Sequence, residues 1–251
     1  MNADSKVLLI TGASRGIGAA TARLAARAGW QVAVNYAANE TAATRLVEEI
    51  RHDNGDAAAF QADVADEKAV AALFEAVDRH FGRLDGLVNN AGIVGKKARV
   101  DEYDAERLAR IFAVNTLGAI YCAREAVRRM STRHGGRGGA IVNVSSMAAL
   151  IGGAGEYVDY AASKGAVDSL TIGLAREVAT EGIRVNAVRP GPIDTEIHAS
   201  GGQPDRLAAM RGMIPMKREG QPEEVAHAIL HLLSDDASYT TGSILNVSGG
   251  R

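Results

Sequence analysis

The chain has 251 residues, 47% of them apolar and 23% charged, a net charge of −2 and a single cysteine, Cys122. Those are ordinary values for one globular α/β domain with an ample core, and a charge so near neutrality gives no basic field to hold a nucleic acid or a membrane surface. One cysteine excludes an internal disulfide and a cysteine-built zinc site.

Before the first strand, Met1–Lys6 lead into only four apolar residues, too few for a signal peptide, and no run approaches bilayer length. A soluble, cytoplasmic protein is the expectation. In chain order, apolar runs at Val7–Thr11, Gln31–Tyr36, Ala57–Gln61, Gly86–Asn89, Ala140–Ser145, Arg184–Val188 and Ser243–Val247 predict strands. Several lack polar alternation, as strands covered on both faces do. Between them, helical patterns run over about Gly16–Ala28, Thr41–His52, Glu67–Phe81, Ala105–Arg133, Tyr157–Thr180 and Glu223–Leu233. This βα alternation predicts a doubly wound parallel sheet with helices on both faces. Residues 1–251 form a single unit, with His134–Gly139 as a surface loop. The Pro- and Met-bearing stretch after the sixth strand, about 192–216, has the character of a substrate loop.

Chemistry enters at two places. The first is Thr11-Gly12-Ala13-Ser14-Arg15-Gly16-Ile17-Gly18, a glycine turn set between the first strand and the first helix. There Gly12 allows a tight exit, Gly16 lets backbone approach a pyrophosphate, Gly18 lets helix pack on strand, and helix N-terminal amides attract phosphate. An acid at the end of the second strand would hold the ribose hydroxyls of NAD. The residues there are Asn35-Tyr36-Ala37-Ala38-Asn39, and the first acid, Glu40, falls into the next helix. The missing acid, together with an Arg15 able to pair with a 2′-phosphate, favours NADP (NADPH) over NAD.

The second place is Tyr160-Ala161-Ala162-Ser163-Lys164, which sets a phenol and an ammonium one helical turn apart. A phenol of pKa near ~10 donates protons readily, and a neighbouring ammonium favours its phenolate. Ser145 and Ser146, closing the fifth strand, offer a hydroxyl for a substrate oxygen.

With those segments in place, the sequence resembles the short-chain dehydrogenase/reductase family over essentially its whole length. The matching segments are the Thr11–Gly18 turn, Asp63-Val64, Asn89-Asn90-Ala91-Gly92, Asn115, Ser145-Ser146, Tyr160-x-x-x-Lys164 and Pro190-Gly191-Pro192-Ile193-Asp194-Thr195. The resemblance implies a single Rossmann-like domain with a seven-stranded parallel sheet, assembled as a homotetramer. It also implies roles. Tyr160 is the acid/base, Lys164 lowers its pKa and binds the nicotinamide ribose, Ser146 orients the carbonyl, and Asn115 supports a proton-relay water. Ser146 is preferred to Ser145 by its spacing from the tyrosine. Cofactor contacts fall to Gly12, Ser14, Arg15, Gly16, Ile17, Gly18 and Asn35, to Asp63 and Val64 at the adenine, and to Asn89, Ala91 and Gly92. Tyr160, Lys164, Pro190, Gly191, Ile193 and Thr195 complete the set, the last two at the carboxamide.

The resemblance points to an NADP(H)-dependent oxidoreductase that interconverts a small carbonyl compound and a secondary alcohol, similar to 3-oxoacyl-carrier-protein reductases and glucose dehydrogenases. The alternatives are an NAD-dependent alcohol or sugar dehydrogenase and a redox sensor that binds the dinucleotide without turnover. No metal site is expected, since His198, His227 and His231 lack acids or cysteines at ligand spacing. Tyr157 is placed at the substrate entrance, and Met210, Met213 and Met216 belong to the substrate loop or to its packing. The basic loop Lys96-Lys97-Ala98-Arg99 either attracts an acidic substrate, such as a carrier-bound acyl group, or is a solvated cluster.

Overall fold

In the computed structural model, which describes residues 5–197, 201–203 and 205–251, the predicted strands form one seven-stranded sheet. The strands are β1 Val7–Ile10, β2 Gln31–Tyr36, β3 Asp56–Gln61, β4 Gly86–Asn89, β5 Gly139–Val144, β6 Ile183–Pro190 and β7 Ile244–Val247. Every pair is parallel, and the spatial order is β3-β2-β1-β4-β5-β6-β7. Chain order therefore reverses between β1 and β4, the switch point at which open α/β sheets bind ligands beyond their carboxyl ends.

The apolar runs follow from burial on both faces. Leu8 and Ile10 of β1 pack with Val32 and Val34 of β2 into one core layer, which is covered by α1 (Gly16–Arg27), α2 (Glu40–His52) and the late helix Pro222–Leu233. Val7 and Leu9 point the other way, into a layer with Leu73 and Phe74 of α3 (Glu67–Phe81), Met130, and Val178. Successive residues of a strand face opposite sides, so a strand sandwiched in this way has no position to give to water. Cys122 lies in the second layer, where burial and the nearby Glu125 push its thiol up to about 12.

The stretch predicted as one helix over Ala105–Arg133 is divided. α4 spans Ala105–Phe112, a single π-helical turn covers Ala113–Leu117, and α5 runs over Gly118–Met130. The Gly118 amide reaches back to the Ala113 carbonyl, one residue further than in an α-helix, and the wider turn carries Asn115 into the interior at 1% exposure. Among the described residues, two short α-helices were not predicted: α6 (Ala148–Ile151), ahead of α7 (Val158–Val178), and α8 (Arg206–Met210), ahead of α9 (Pro222–Leu233). The excursion after β6 is closed at its base, where Ile193 bridges Gly220 and the Gly220 amide donates to the Pro192 carbonyl at 2.9 Å.

Candidate active site

Beyond the carboxyl ends of β1 to β6 lies a cleft of about 440 Å³, lined in turn by Gly12–Ile17, Tyr36–Asn39, Asp63, Gly92, Ser146 and Gly191 with their neighbours. That volume suits an organic ligand rather than an ion.

The glycine turn forms one wall. Gly12 sits at φ +59°, and a side chain there would meet the Ala91 backbone at 2.9 Å. At Gly18, a Cβ would lie 2.6 Å from Asn90 Nδ2 and 2.7 Å from the Gly12 carbonyl, so only glycine brings α1 this close to the strand ends. Gly18 supports the wall from behind rather than lining it. Asn90 locks the two turns together: its Nδ2 donates to the carbonyls of Thr11 and Gly12 at 2.9 Å each, while Thr11 Oγ1 accepts from the amides of Asn90 and Ala91 at 3.0 Å. Arg15 precedes α1 with no side-chain cap hydrogen bond and is exposed, lining the cleft that Ala37, Ala38 and Asn39 also line. Free amides at a helix start, a close backbone approach and a cation at the β2 end fit a dinucleotide carrying an additional phosphate.

Asn35 lines the cleft, yet its side chain is fully committed. Oδ1 accepts from the Gly12 amide at 3.2 Å, and Nδ2 donates toward the Ala62 and Phe60 carbonyls at 3.1 and 3.3 Å. It fixes the glycine turn to β3. Asp63 is at the β3 end with Val64, paired to Arg110 at 2.8 Å. Asn89, by contrast, turns into the sheet, donating to Asn143 Oδ1 at 2.9 Å and to the Ala119 carbonyl at 3.2 Å, and does not line the cleft.

The far end gathers the titratable groups. Tyr160, Lys164 and Ser146 share one wall with Ala91, Gly92, Pro190, Gly191, Ile193 and Thr195. Burial raises the Tyr160 phenol above its ordinary pKa, and a hydrogen bond with Ser146 works in the opposite direction. The phenol is therefore held protonated at neutral pH. Ser145 is buried and its Oγ donates to the Lys164 carbonyl at 3.2 Å, which leaves Ser146 as the hydroxyl facing the tyrosine. Lys164 is 4% exposed, its Nζ donates to the Val144 carbonyl at 2.8 Å, and that Nζ lies 5.8 Å from the centre of the Tyr160 ring. Burial pulls its ammonium down to about 8, against the opposing charge of Asp168.

Asn115 stands behind Gly92. Its Oδ1 accepts from the Ile93 amide at 2.8 Å, and its Nδ2 donates to the Ile93 carbonyl at 2.9 Å and to Ser163 Oγ at 3.0 Å. The start of α7, which bears the tyrosine, is clamped by Arg107, whose guanidinium takes Asp159 Oδ2 at 2.6 Å and the Lys96 carbonyl at 2.7 Å.

On the substrate-loop side, Arg206 of α8 is buried, donates to Glu156 at 2.7 Å and stacks 4.6 Å over the Tyr157 ring. Tyr157, Gln203 and Met210 line the cleft, whereas Met213 and Met216 are about 60% exposed on its outside. The basic loop does not reach the cleft: Lys97 pairs with Glu156 at 3.7 Å and Arg99 with Asp101 at 3.0 Å. His227 and His231 are exposed on α9, and His198 lies outside the described residues. Sequence reasoning missed Asn90, Ile93, Met147, Arg206 and Arg251 as wall residues. Only Asn90 carried a signal, being inside the Asn89–Gly92 segment.

No helix among the described residues is long and apolar enough to cross a membrane. A family model described as enoyl-(acyl carrier protein) reductase matches residues 12–251. The uncharacterized oxidoreductase YgfF of Escherichia coli strain K12 is 55% identical over 98% of this chain and 99% of its own. The 3-oxoacyl-[acyl-carrier-protein] reductase FabG of Staphylococcus aureus strain Mu50 is 39% identical over 98% of each chain. The crystal structure of gox2181 superposes with a TM-score of 0.92 at 33% identity, over 98% of this chain and 95% of that one.

Proposed function

Because the chain belongs to the short-chain dehydrogenase/reductase family of NAD(P)-linked oxidoreductases, we propose that it interconverts a carbonyl and a secondary alcohol with NADP(H). The observation that carries this reading is the grouping of Tyr160, Ser146 and Lys164 in the cleft: a protonated phenol and a serine hydroxyl beside a buried ammonium, beyond the carboxyl end of β5.

Gly12, Ser14, Arg15, Gly16 and Ile17 would hold the diphosphate half of the dinucleotide, with Asp63 and Val64 at its adenine. Ala91, Gly92, Pro190, Gly191, Ile193 and Thr195 would hold the nicotinamide half, with Lys164 at its ribose. When bound, the nicotinamide supplies or accepts a hydride. In the reductive direction, Ser146 Oγ donates to the carbonyl oxygen and orients it, and Tyr160 gives its phenolic proton to that oxygen as negative charge builds there. Lys164 stabilises the phenolate left behind. Asn115, with its amide spent on Ile93 and Ser163, acts as a positioning residue for the Gly92 turn and for α7.

NADP is favoured over NAD by the free Arg15 and by the absence of an acid from Tyr36 to Asn39. Residues 192–216 form the substrate loop. A homotetramer is supported by the partly exposed Leu108 on α4, Leu117 in the π-helical turn, Ile120 on α5 and Ile172 on α7. Sedimentation at micromolar concentration tests the assembly, and a monomer contradicts it.

The function is tested with the purified protein against ketones, sugars and 3-oxoacyl thioesters, using NADPH and NADH in parallel. Turnover with NADPH on at least one carbonyl class is expected. Tight NADPH binding with no turnover on any class would replace the enzyme reading with that of a dinucleotide-binding sensor.

A further inference from the structure

Among the described residues, Arg251 lines the cleft with one nitrogen that is buried and unpaired. Nη1 of Arg251 is shielded from solvent and has no hydrogen-bond acceptor. Three cations of the substrate side are occupied: Arg206 by Glu156 and Gln203, Arg107 by Asp159 and Lys97 by Glu156. At the opposite end Arg110 is held by Asp63. A buried guanidinium nitrogen without an acceptor is costly, and the cost is relieved when an anionic oxygen arrives.

The fold fixes where Arg251 stands. Its amide donates to the Ser248 carbonyl and Ser248 Oγ returns a bond to the Arg251 carbonyl at 3.0 Å, a turn that follows β7. The Ser248 backbone packs against Gly191, leaving no room for a side chain there. Gly249 rests on Ile214, and its carbonyl accepts from the Met216 amide at 3.1 Å. Arg251 is thus wedged between the Gly191 turn and the returning end of the substrate loop. The Pro190 carbonyl, next to that turn, accepts from the amide of Met147, the neighbour of Ser146, at 3.0 Å. Met147, Ile151, Ile197 and Met210 give the same cleft apolar surface. Glu196 also lines the cleft, with its carboxylate toward Gly16 at the glycine-turn end.

Resting on the reductase reading, we propose that Arg251 is a specificity residue, and that the substrate is a carbonyl compound bearing an anionic oxygen group, a carboxylate or a phosphate, which docks on its guanidinium across an apolar spacer. The group that reacts, Tyr160 with Ser146, and the group that is recognised, Arg251, line one pocket.

Two measurements separate this inference from the reading it rests on. The first is calorimetric binding of hexanoate, hexyl phosphate and hexanamide to the NADP-loaded protein, for wild type, Arg251→Gln and Arg251→Lys. At least one of the two anions binds wild type about tenfold more tightly than the amide, Arg251→Gln abolishes that difference, and Arg251→Lys keeps part of it. The preferred anion identifies the source. The second is reduction of 5-oxohexanoate and its methyl ester. Arg251→Gln raises KM for the acid about tenfold and leaves the ester and the NADPH affinity unchanged. Equal binding of acid, phosphate and amide, or weaker NADPH binding in Arg251→Gln, overturns the assignment. Anion binding that depends on Arg251 without turnover of any carbonyl leaves the assignment standing and sinks the reductase reading instead.

Discussion

Asn115 Nδ2 donates to Ser163 Oγ at 3.0 Å, and Ser163 Oγ in turn donates to the Tyr160 carbonyl at 2.7 Å. The two side chains are 48 residues apart and both buried, so the π-helical turn that carries Asn115 is tied to the helical turn that carries the tyrosine. Ser163→Ala leaves a buried Asn115 donor unpaired, at a cost of about 1 to 3 kcal/mol in stability. The expected kinetic signature is a lower kcat with unchanged NADPH affinity. A variant as stable and as fast as wild type shows that the tie carries no weight, as read by denaturant unfolding and steady-state rates.

Arg15→Gln removes the free cation at the rim of the β2 end. NADPH affinity is expected to fall roughly 10- to 100-fold while NADH affinity is preserved, the value of a charge-assisted bond to phosphate. Fluorescence titration of both cofactors reads the ratio, and an equal loss for the two contradicts the NADP assignment.

Gly18→Ala places a methyl against the Gly12 carbonyl and Asn90 Nδ2, at 2.7 and 2.6 Å. The Gly12 carbonyl is backbone and cannot swing aside, so α1 must lift from the strand ends, for about 1 to 3 kcal/mol. Thermal unfolding checks this. A stability equal to wild type contradicts the tight fit of α1 on the turn.

Lys164 has its pKa pulled from 10.5 to about 8 by burial, with Asp168 opposing. Between those two values the unfolded chain holds more of the proton, so this residue makes stability rise with pH across that window. Activity runs the other way. The reductive rate is expected to fall as the ammonium discharges near pH ~8, because the tyrosine pKa is raised and keeps its proton through that range. Asp168→Asn removes the charge that supports the ammonium and moves the alkaline limb to lower pH. A limb that stays in place in that variant contradicts the assignment to Lys164.

The sheet was readable because several of its strands are apolar runs without polar alternation, and the glycine turn and Tyr160–Lys164 pair because their chemistry is compressed into a few adjacent residues. What could not be read depends on contacts between distant segments. The π-helical turn at Ala113–Leu117 adds one residue to an otherwise helical pattern and leaves no mark in composition. α6 and α8, of 4 and 5 residues, are too short for a period to declare itself. The sequence segment around Asn89 pointed to the cofactor, but strand alternation turns Asn89 into the sheet and leaves Asn90 to brace the glycine turn. Asn35 was read for what it lacked, an acidic group, and its actual bonds to the Gly12 amide and β3 need the sheet to be assembled. Arg251 enters the cleft only because β7 pairs beside β6 and carries the following turn onto Gly191.

The most direct measurement follows deuterium from [4,4-²H₂]NADPH during reduction of a ketone by wild type and by Tyr160→Phe. Wild type is expected to place one deuterium on the carbinol carbon of each alcohol formed, and the variant to lose at least about a hundredfold in kcat while still binding NADPH. Turnover in Tyr160→Phe at the wild-type rate, or alcohol that carries no deuterium at that carbon, would contradict proton donation by Tyr160 beside a hydride-transferring nicotinamide.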